Sequence, residues 1–147
     1  MSVVYKENTS KAEDIFLHFK SCDSRFYEDL SSRVHIKNYA AKLEKLAFRH
    51  EAWKDDQLIG LVAIYYNEES GVDFITNVSV SENYTKLGIA SHLVKDCIRN
   101  ARNAAIQLEV SKYNSPALKL YEKFQFICHN EDETSFHLRL QLDKVNS

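Results

Sequence analysis

The chain has 147 residues, close to the size of one domain and long enough to bury a sizeable core. A 44% hydrophobic and 12% aromatic composition with three Gly and one Pro excludes disordered, collagen-like and low-complexity classes. Nineteen Lys and Arg against 21 Asp and Glu leave a net charge of −2, with no basic run to suggest nucleic-acid binding.

No repeat or linker breaks the chain, so a single domain over residues 1–147 is expected. Val3-Val4-Tyr5 reads as a short first strand. Ser10 and Glu13 have capping-box spacing, and Ile15, Phe16 and Phe19 form an apolar stripe, which predicts a helix from Ser10 to Ser21. The stretch from Phe26 to Ile36 has no clear period. Tyr39, Ala40, Leu43, Leu46 and Ala47 recur at helical spacing. Strands then follow at His50–Lys54, Gln57–Tyr66 and Val72–Val80, joined by turns at Asp55-Asp56 and Asn67–Gly71.

Ile89, Leu93, Val94, Cys97, Ile98 and Ala101 mark an amphipathic helix. Ala105–Val110 is a further strand. Ser115 and Pro116 look like an N-cap and an N1 proline ahead of a helix carrying Tyr121 and Phe124. Phe126–Cys128 and Ser135–Leu142 close the chain as a hairpin. The order predicts an α+β fold with a mixed sheet.

Cys22, Cys97 and Cys128 are widely spaced and read as small buried hydrophobes in a reducing cytosol. The start Met1–Lys6 lacks a signal-peptide pattern, and the apolar run Leu58–Tyr66 is too short to span a membrane. A cytoplasmic protein with no membrane partner is therefore expected. The six histidines show no zinc-ligand spacing, so no metal is expected.

Two stretches point to chemistry. From Val78 to Ser91 a strand ends, a short loop follows, and a helix begins at Gly88-x-Ala90. Unpaired N–H groups and the positive dipole end at such a junction suit a pyrophosphate, which small residues let approach closely. From Val110 to Phe126 a strand leads into Asn114-x-x-Ala117, then Leu120-Tyr121-x-Lys123-Phe124-Gln125-Phe126.

In this order and spacing the two stretches resemble the Gcn5-related N-acetyltransferase (GNAT) superfamily. The family's pyrophosphate motif, Gln/Arg-x-x-Gly-x-Gly/Ala, falls on Thr85–Ala90. Its last motif, Asn-x-x-Ala-x-x-Leu-Tyr-x-Lys-x-Gly-Phe, falls on Asn114–Phe126. Thr85 replaces the usual Gln or Arg, and Lys86 stands where Gly is common. Gln125 also replaces a Gly, so a non-Gly residue is expected at positive φ there.

The resemblance implies a central, mostly antiparallel mixed sheet with flanking helices and two splayed parallel strands, Val72–Val80 and Ala105–Val110. Acetyl-CoA would be the co-substrate. Its pantetheine would pair with the backbone of Val78, Ser79 and Val80, and its pyrophosphate would lie on Lys86, Leu87, Gly88, Ile89, Ala90 and Ser91. Asn114 and Ala117 would also contact it. Tyr121 would protonate the leaving thiolate, and a backbone N–H near Val78–Val80 would hold the oxyanion.

The base that several relatives carry as Glu on the fourth strand falls on Phe74. Asp73, Thr76, Asn77 and Glu109 remain as alternatives. Strict alternation would place Asp73, Ile75, Asn77 and Ser79 on one face and Phe74, Thr76, Val78 and Val80 on the other.

The acceptor is expected to be a small-molecule amine, bound by Phe26–Tyr39 with Tyr65 and Tyr66. The segment from Leu30 to Tyr39 resembles a subgroup tied to surface-polysaccharide biosynthesis, which would make the acceptor an amino sugar and set Arg33 against an anion. A protein or peptide acceptor, or a non-catalytic acyl-CoA-binding module, are the rival readings. Relatives are often homodimers, and no interface is legible here.

Overall fold

The computed structural model describes residues 2–142; Met1 and residues 143–147, which the single-domain expectation also spans, lie outside the described residues. Seven strands form one sheet in the order β1-β2-β3-β4-β5-β7-β6. They are β1 Val4–Glu7, β2 Phe48–Lys54, β3 Gln57–Asn67, β4 Val72–Val80, β5 Ala105–Ser111, β6 Ile127–Glu131 and β7 Ser135–Gln141. Neighbours are antiparallel except β4 and β5, which are parallel. Helices α1 Ala12–Ser21, α2 Ser24–Arg33 and α3 Ile36–Leu46 precede β2; α4 Ile89–Arg99 and α5 Ser115–Lys123 flank β5. The expected α+β class and mostly antiparallel mixed sheet are what the chain adopts.

The helices divide between the two sheet faces. Ile15 and Phe19 of α1, Leu30 of α2 and Ala40 and Leu43 of α3 pack with Leu58, Leu61 and Ala63 of β3. Ile89, Leu93, Val94 and Cys97 of α4 and Tyr121 of α5 pack on the other face with Val62, Ile75, Ile106 and Leu108. Gly60 is where α4 approaches the sheet most closely: a Cβ there would meet the Ile89 Cγ2 at 2.7 Å.

Three sequence expectations are corrected. First, Ser10 is not the cap of α1. The Lys11 N–H donates to the Asp14 carboxylate at 2.9 Å, and the helix starts at Ala12. Ser10 is drawn away by the buried carboxylate of Glu51, which accepts from the Ser10 and Thr9 N–H groups at 2.9 and 3.1 Å, from both hydroxyls, and from Trp53 Nε1 at 3.1 Å. Arg49, also buried, lies 3.5 Å from Glu51 and donates to the carbonyls of Leu43, Glu44 and Ala47 that end α3. A buried carboxylate with no such donors would be far costlier than a helix start without Ser10.

Second, Asn114, not Ser115, caps α5; its side-chain oxygen accepts from the Ala117 N–H at 3.2 Å. Third, β4 does not alternate strictly. Ala63 pairs with Asn77 but Ile64 pairs with Ile75, so Thr76 is an extra residue in the ladder. Ile75, Val78 and Val80 therefore belong to the α4 side, whereas Ser79 reaches His18 of α1 and Thr76 reaches Tyr39 of α3. The segment from Phe26 to Ile36, without a clear period in the sequence, contains most of α2, capped by Asp23. Of the three cysteines, Cys22 and Cys97 are buried as expected, and Cys128 is exposed.

The end of α5 bears out the expectation at Gln125, whose φ is +70°. The Phe126 N–H bonds to the Tyr121 carbonyl at 3.0 Å and the Gln125 N–H to the Glu122 carbonyl at 2.9 Å, a Schellman closure in which Gln125 takes the place glycine prefers. Gln125→Gly relieves that conformation and should raise stability by about 1 kcal/mol in urea unfolding. Glu51→Ala should cost about 3–5 kcal/mol, since Arg49 then stays buried without its partner. Burial opposes ionisation of Glu51, yet its hydrogen bonds to Ser10, Thr9 and Trp53 prevail and hold the carboxyl below its ordinary value. The stabilisation is therefore complete above the unfolded carboxyl's value and lost as pH falls through the folded one; Glu51→Ala should flatten the acid limb of the unfolding profile.

Candidate active site

Strands β4 and β5 pair at only three positions, Val72↔Ala105, Asp73↔Ile106 and Phe74↔Gln107. Beyond them β4 remains paired to β3 as far as Val80, and β5 to β7 as far as Ser111, so the two strands part into a V. The inner backbone edge of Val78, Ser79 and Val80 faces this opening. Strand edges of this kind accept an extended amide-bearing chain as a further strand.

The V leads to the loop before α4. A short 3-10 turn, Glu82–Tyr84, ends at Thr85. Lys86 then takes φ +65° and Gly88 φ +83°. Lys86 thus occupies, as a non-Gly residue, a conformation glycine prefers. The first α4 bond runs from the His92 N–H to the Gly88 carbonyl, which leaves the N–H groups of Ile89, Ala90 and Ser91 free at the helix start. No atom lies within 4 Å of a Cβ placed on Gly88, so the approach to these donors is open. The loop fits a pyrophosphate through backbone donors and the helix dipole.

A second cation also reaches this place. Lys123, which the sequence reading left without a role, donates from Nζ to Ser91 Oγ at 3.1 Å, from the last turn of α5 to the first turn of α4. No local sequence signal exposes this, because the two helices meet only after β5 has crossed the sheet. His92 is engaged elsewhere: it stacks on Tyr5 at 3.6 Å and lies 3.2 Å from Asp96.

Tyr121 lies on the α4 side of the sheet, its ring edge-on to Phe126 at 5.6 Å. Burial raises the phenol above its ordinary value and keeps it protonated. No described residue hydrogen-bonds its hydroxyl, which is not one of the two sealed, partnerless polar atoms, His50 Nε2 and the Tyr65 hydroxyl. Asn114 and Ala117 sit together at the start of α5, where the Asn114 side-chain oxygen is committed to the helix cap and its NH2 is left to donate.

The alternatives for the base separate. Asp73 is fully buried and accepts from the Arg102 and Asn103 N–H groups and from Asn103 Nδ2, at 2.8, 3.3 and 2.7 Å, so it anchors the loop before β5. Thr76 is bonded to the Tyr39 hydroxyl at 2.8 Å, and Asn77 to Ser79 at 2.7 Å. Glu109 is exposed. His18, read only as lacking a metal partner, lies buried beneath β4 and bridges the Leu58 carbonyl at 3.1 Å and Ser79 Oγ at 2.9 Å. Burial pulls it down to about 4 against those bonds, so it holds α1 to the strand as a neutral ring.

On the α1–α3 side, Tyr39 and Phe26 pack onto Phe19 at 5.9 and 6.0 Å. Arg33 is exposed and paired with Asp29 at 3.0 Å, an ordinary i, i+4 surface pair. Tyr66 faces the opposite side of the sheet, under the Arg102 guanidinium at 4.1 Å, whereas Tyr65 packs with the α1–α3 layer.

The sequence model of the acetyltransferase (GNAT) family matches residues 12–126. No curated protein sequence matches the chain. Among solved structures, a PaiA N-acetyltransferase from Thermoplasma acidophilum in complex with coenzyme A superposes with a TM-score of 0.80 at 15% identity, over 97% of this chain and 100% of that one. The ribosomal-protein-S18-alanine N-acetyltransferase from Escherichia coli gives 0.77 at 14% identity, over 95% and 94%. A chain of the NatC complex bound to Gag peptide and CoA gives 0.70 at 26% identity, over 97% and 99%.

Two glycines supply a matched test of the loop. Gly71 and Gly88 both have positive φ with open space at Cβ. Gly71→Val and Gly88→Val should each lose about 1–2 kcal/mol of stability. Only Gly88→Val should weaken coenzyme A binding, by about tenfold or more in calorimetry, because only there does the side chain meet the phosphate path.

Proposed function

Because the chain belongs to the GNAT acetyltransferase family, we propose that it moves the acetyl group of acetyl-CoA directly to a primary amine of a small molecule, with an amino sugar as one such acceptor. The observation that carries this reading is the V between β4 and β5 opening onto the left-handed loop before α4. Acetyl-CoA supplies the activated thioester; the remaining work falls to the chain. The backbone of Val78–Val80 aligns the pantetheine arm. Lys86, Leu87, Gly88, Ile89, Ala90 and Ser91 hold the pyrophosphate, with Lys123 adding charge. Asn114 donates its amide to the arm beside Ala117. Tyr121, kept protonated by burial, gives its proton to the departing sulfur.

A small acceptor is favoured by the inward packing of Phe26 and Tyr39 onto Phe19, which draws α2 and α3 in against α1. A peptide acceptor is the second reading, supported by the 26% identity to a NatC chain solved with a peptide. No helix among the described residues is long and apolar enough to cross a membrane.

Thiol release from acetyl-CoA with glucosamine, spermidine and an Ala-initiated peptide tests the reading. Turnover is expected on a small amine, and Tyr121→Phe should lower kcat by about 100-fold or more while leaving the KM for acetyl-CoA nearly unchanged. Turnover on the peptide alone selects the second reading. Cofactor binding without turnover makes the chain a binding module, and no coenzyme A binding at all sinks the proposal.

A further inference from the structure

The turn between β6 and β7 returns three titratable side chains to one point. Glu109 of β5, Asp132 of the turn and His137 of β7 each offer a ligand atom, all within 4.8 Å of one another. Glu109 and His137 are cross-strand partners. Leu108 and Val110 of β5 and Leu138 of β7 belong to the α4–α5 core, so Glu109 and His137 project from the opposite face. That face continues across the V to Phe74, the partner of Gln107 and of Tyr65, and so to the α1–α3 side of β4. Glu109 stands two residues beyond the last β4–β5 pair, on the diverging edge. Tyr121 lies on the other side of the sheet.

The hydrogen bonds decide which nitrogen of His137 is free. Asp132 is locked first: its Oδ1 accepts from the Thr134 and Ser135 N–H groups at 2.9 and 2.8 Å and from the Thr134 hydroxyl at 3.3 Å. Its other oxygen lies 3.2 Å from His137 Nε2. A carboxylate can only accept, so Nε2 carries a proton, and Nδ1 is the nitrogen that is bare when the ring holds no second one. That nitrogen faces Glu109 Oε2 at 4.0 Å. With Nδ1 bare, the gap between it and the Glu109 carboxylate has room for a donor, and a nitrogen about 2.8 Å from each fits. An ammonium answers both: the carboxylate holds its charge while the imidazole accepts its proton.

We propose that Glu109 and His137 form the amine subsite of the acetyl transfer, with His137 Nδ1 as the base, Glu109 as the anchor of the incoming ammonium and Asp132 as the positioning residue that sets the tautomer. The proposal rests on the acetyltransferase reading above. The ammonium loses one proton to His137, which passes it to solvent. The nitrogen bonds to the acyl carbon and the carbon–sulfur bond breaks. The sulfur takes a proton from Tyr121, and the second proton leaving the nitrogen restores the phenol. Base and acid thus act from opposite faces of the sheet, one on the entering and one on the leaving atom. Phe74, which cannot take a proton, is then no obstacle to catalysis.

The groups facing His137 are Glu109 from β5, Asp132 from the turn and His129 from β6, whose ring lies 6.5 Å away. The test measures pH profiles of kcat/KM on whichever panel amine turns over, with coenzyme A affinity in parallel. In the wild type the rate should rise through one step and level off. In His137→Gln it should fall about 100-fold at neutral pH and climb toward the amine's own pKa of about 10, where free amine forms unaided. Asp132→Asn should lower kcat by about tenfold or more, and Glu109→Gln should raise chiefly the KM for the amine, all three binding coenzyme A as the wild type does. Nitrogen-15 spectra of the unliganded protein, which need no acceptor, should show the His137 ring protonated at Nε2. An unchanged pH profile in His137→Gln, the opposite tautomer, or turnover abolished by a chelator overturns the base assignment alone. Loss of coenzyme A binding by the wild type defeats the acetyltransferase reading instead.

Discussion

Three residue pairs between β4 and β5 set the terms for the rest of the molecule. A continuous ladder would satisfy every backbone group and close the sheet. Here the ladder stops at Phe74 and Gln107, while the outer edges of both strands stay paired to β3 and β7. The opening is thus a break held by intact sheet on either side. The extra residue at Thr76 bends β4 where the strands begin to part. An edge of unmet donors and acceptors between rigid walls is a place for another amide chain, and the loop before α4 lies at its end.

Polar side chains buried beneath the sheet keep those walls in place. Glu51 and Arg49 tie the segment before α1, the end of α3 and strand β2 together through hydrogen bonds that leave neither charge alone. His18 ties α1 to β4 through Ser79. The first anchors the α1–α3 layer to β2 and the second anchors it to β4, the strand that borders the V. Such preorganisation matters for a direct transfer, in which the amine and the thioester must meet in one geometry.

The division of labour between faces follows from the bulge. Before it, the side chains of Asp73 and Ile75 serve the α4 side; after it, Asn77 and Ser79 serve the α1 side. Tyr121 and the loop before α4 lie with α4 and α5, while Glu109, His137 and the aromatic rings of Tyr39 and Tyr65 lie across the sheet. In the proposed transfer, the groups that act on the entering and the leaving atom are thus separated by the thickness of a strand.

Much of this was legible in the residues. The strands, the Asp55-Asp56 turn, the start of α4 at Gly88 and the unusual backbone at Gln125 are local matters, decided by steric limits on φ and by which side chains can cap or turn a chain. The sequence therefore determined the fold class, the loop geometry before α4 and the place of Tyr121 on α5. The true partner of Ser10, the facing of Asn77 and the contact of Glu109 with His137 were beyond it. Ser10 carried a sound capping signal that a carboxylate 41 residues away outbid, the faces of β4 depended on a register shift against β3, and Glu109 meets His137 only through the β5–β7 pairing. Those choices belong to the tertiary structure, because a buried charge, a ladder register and a cross-strand contact are interactions between segments that no local pattern records.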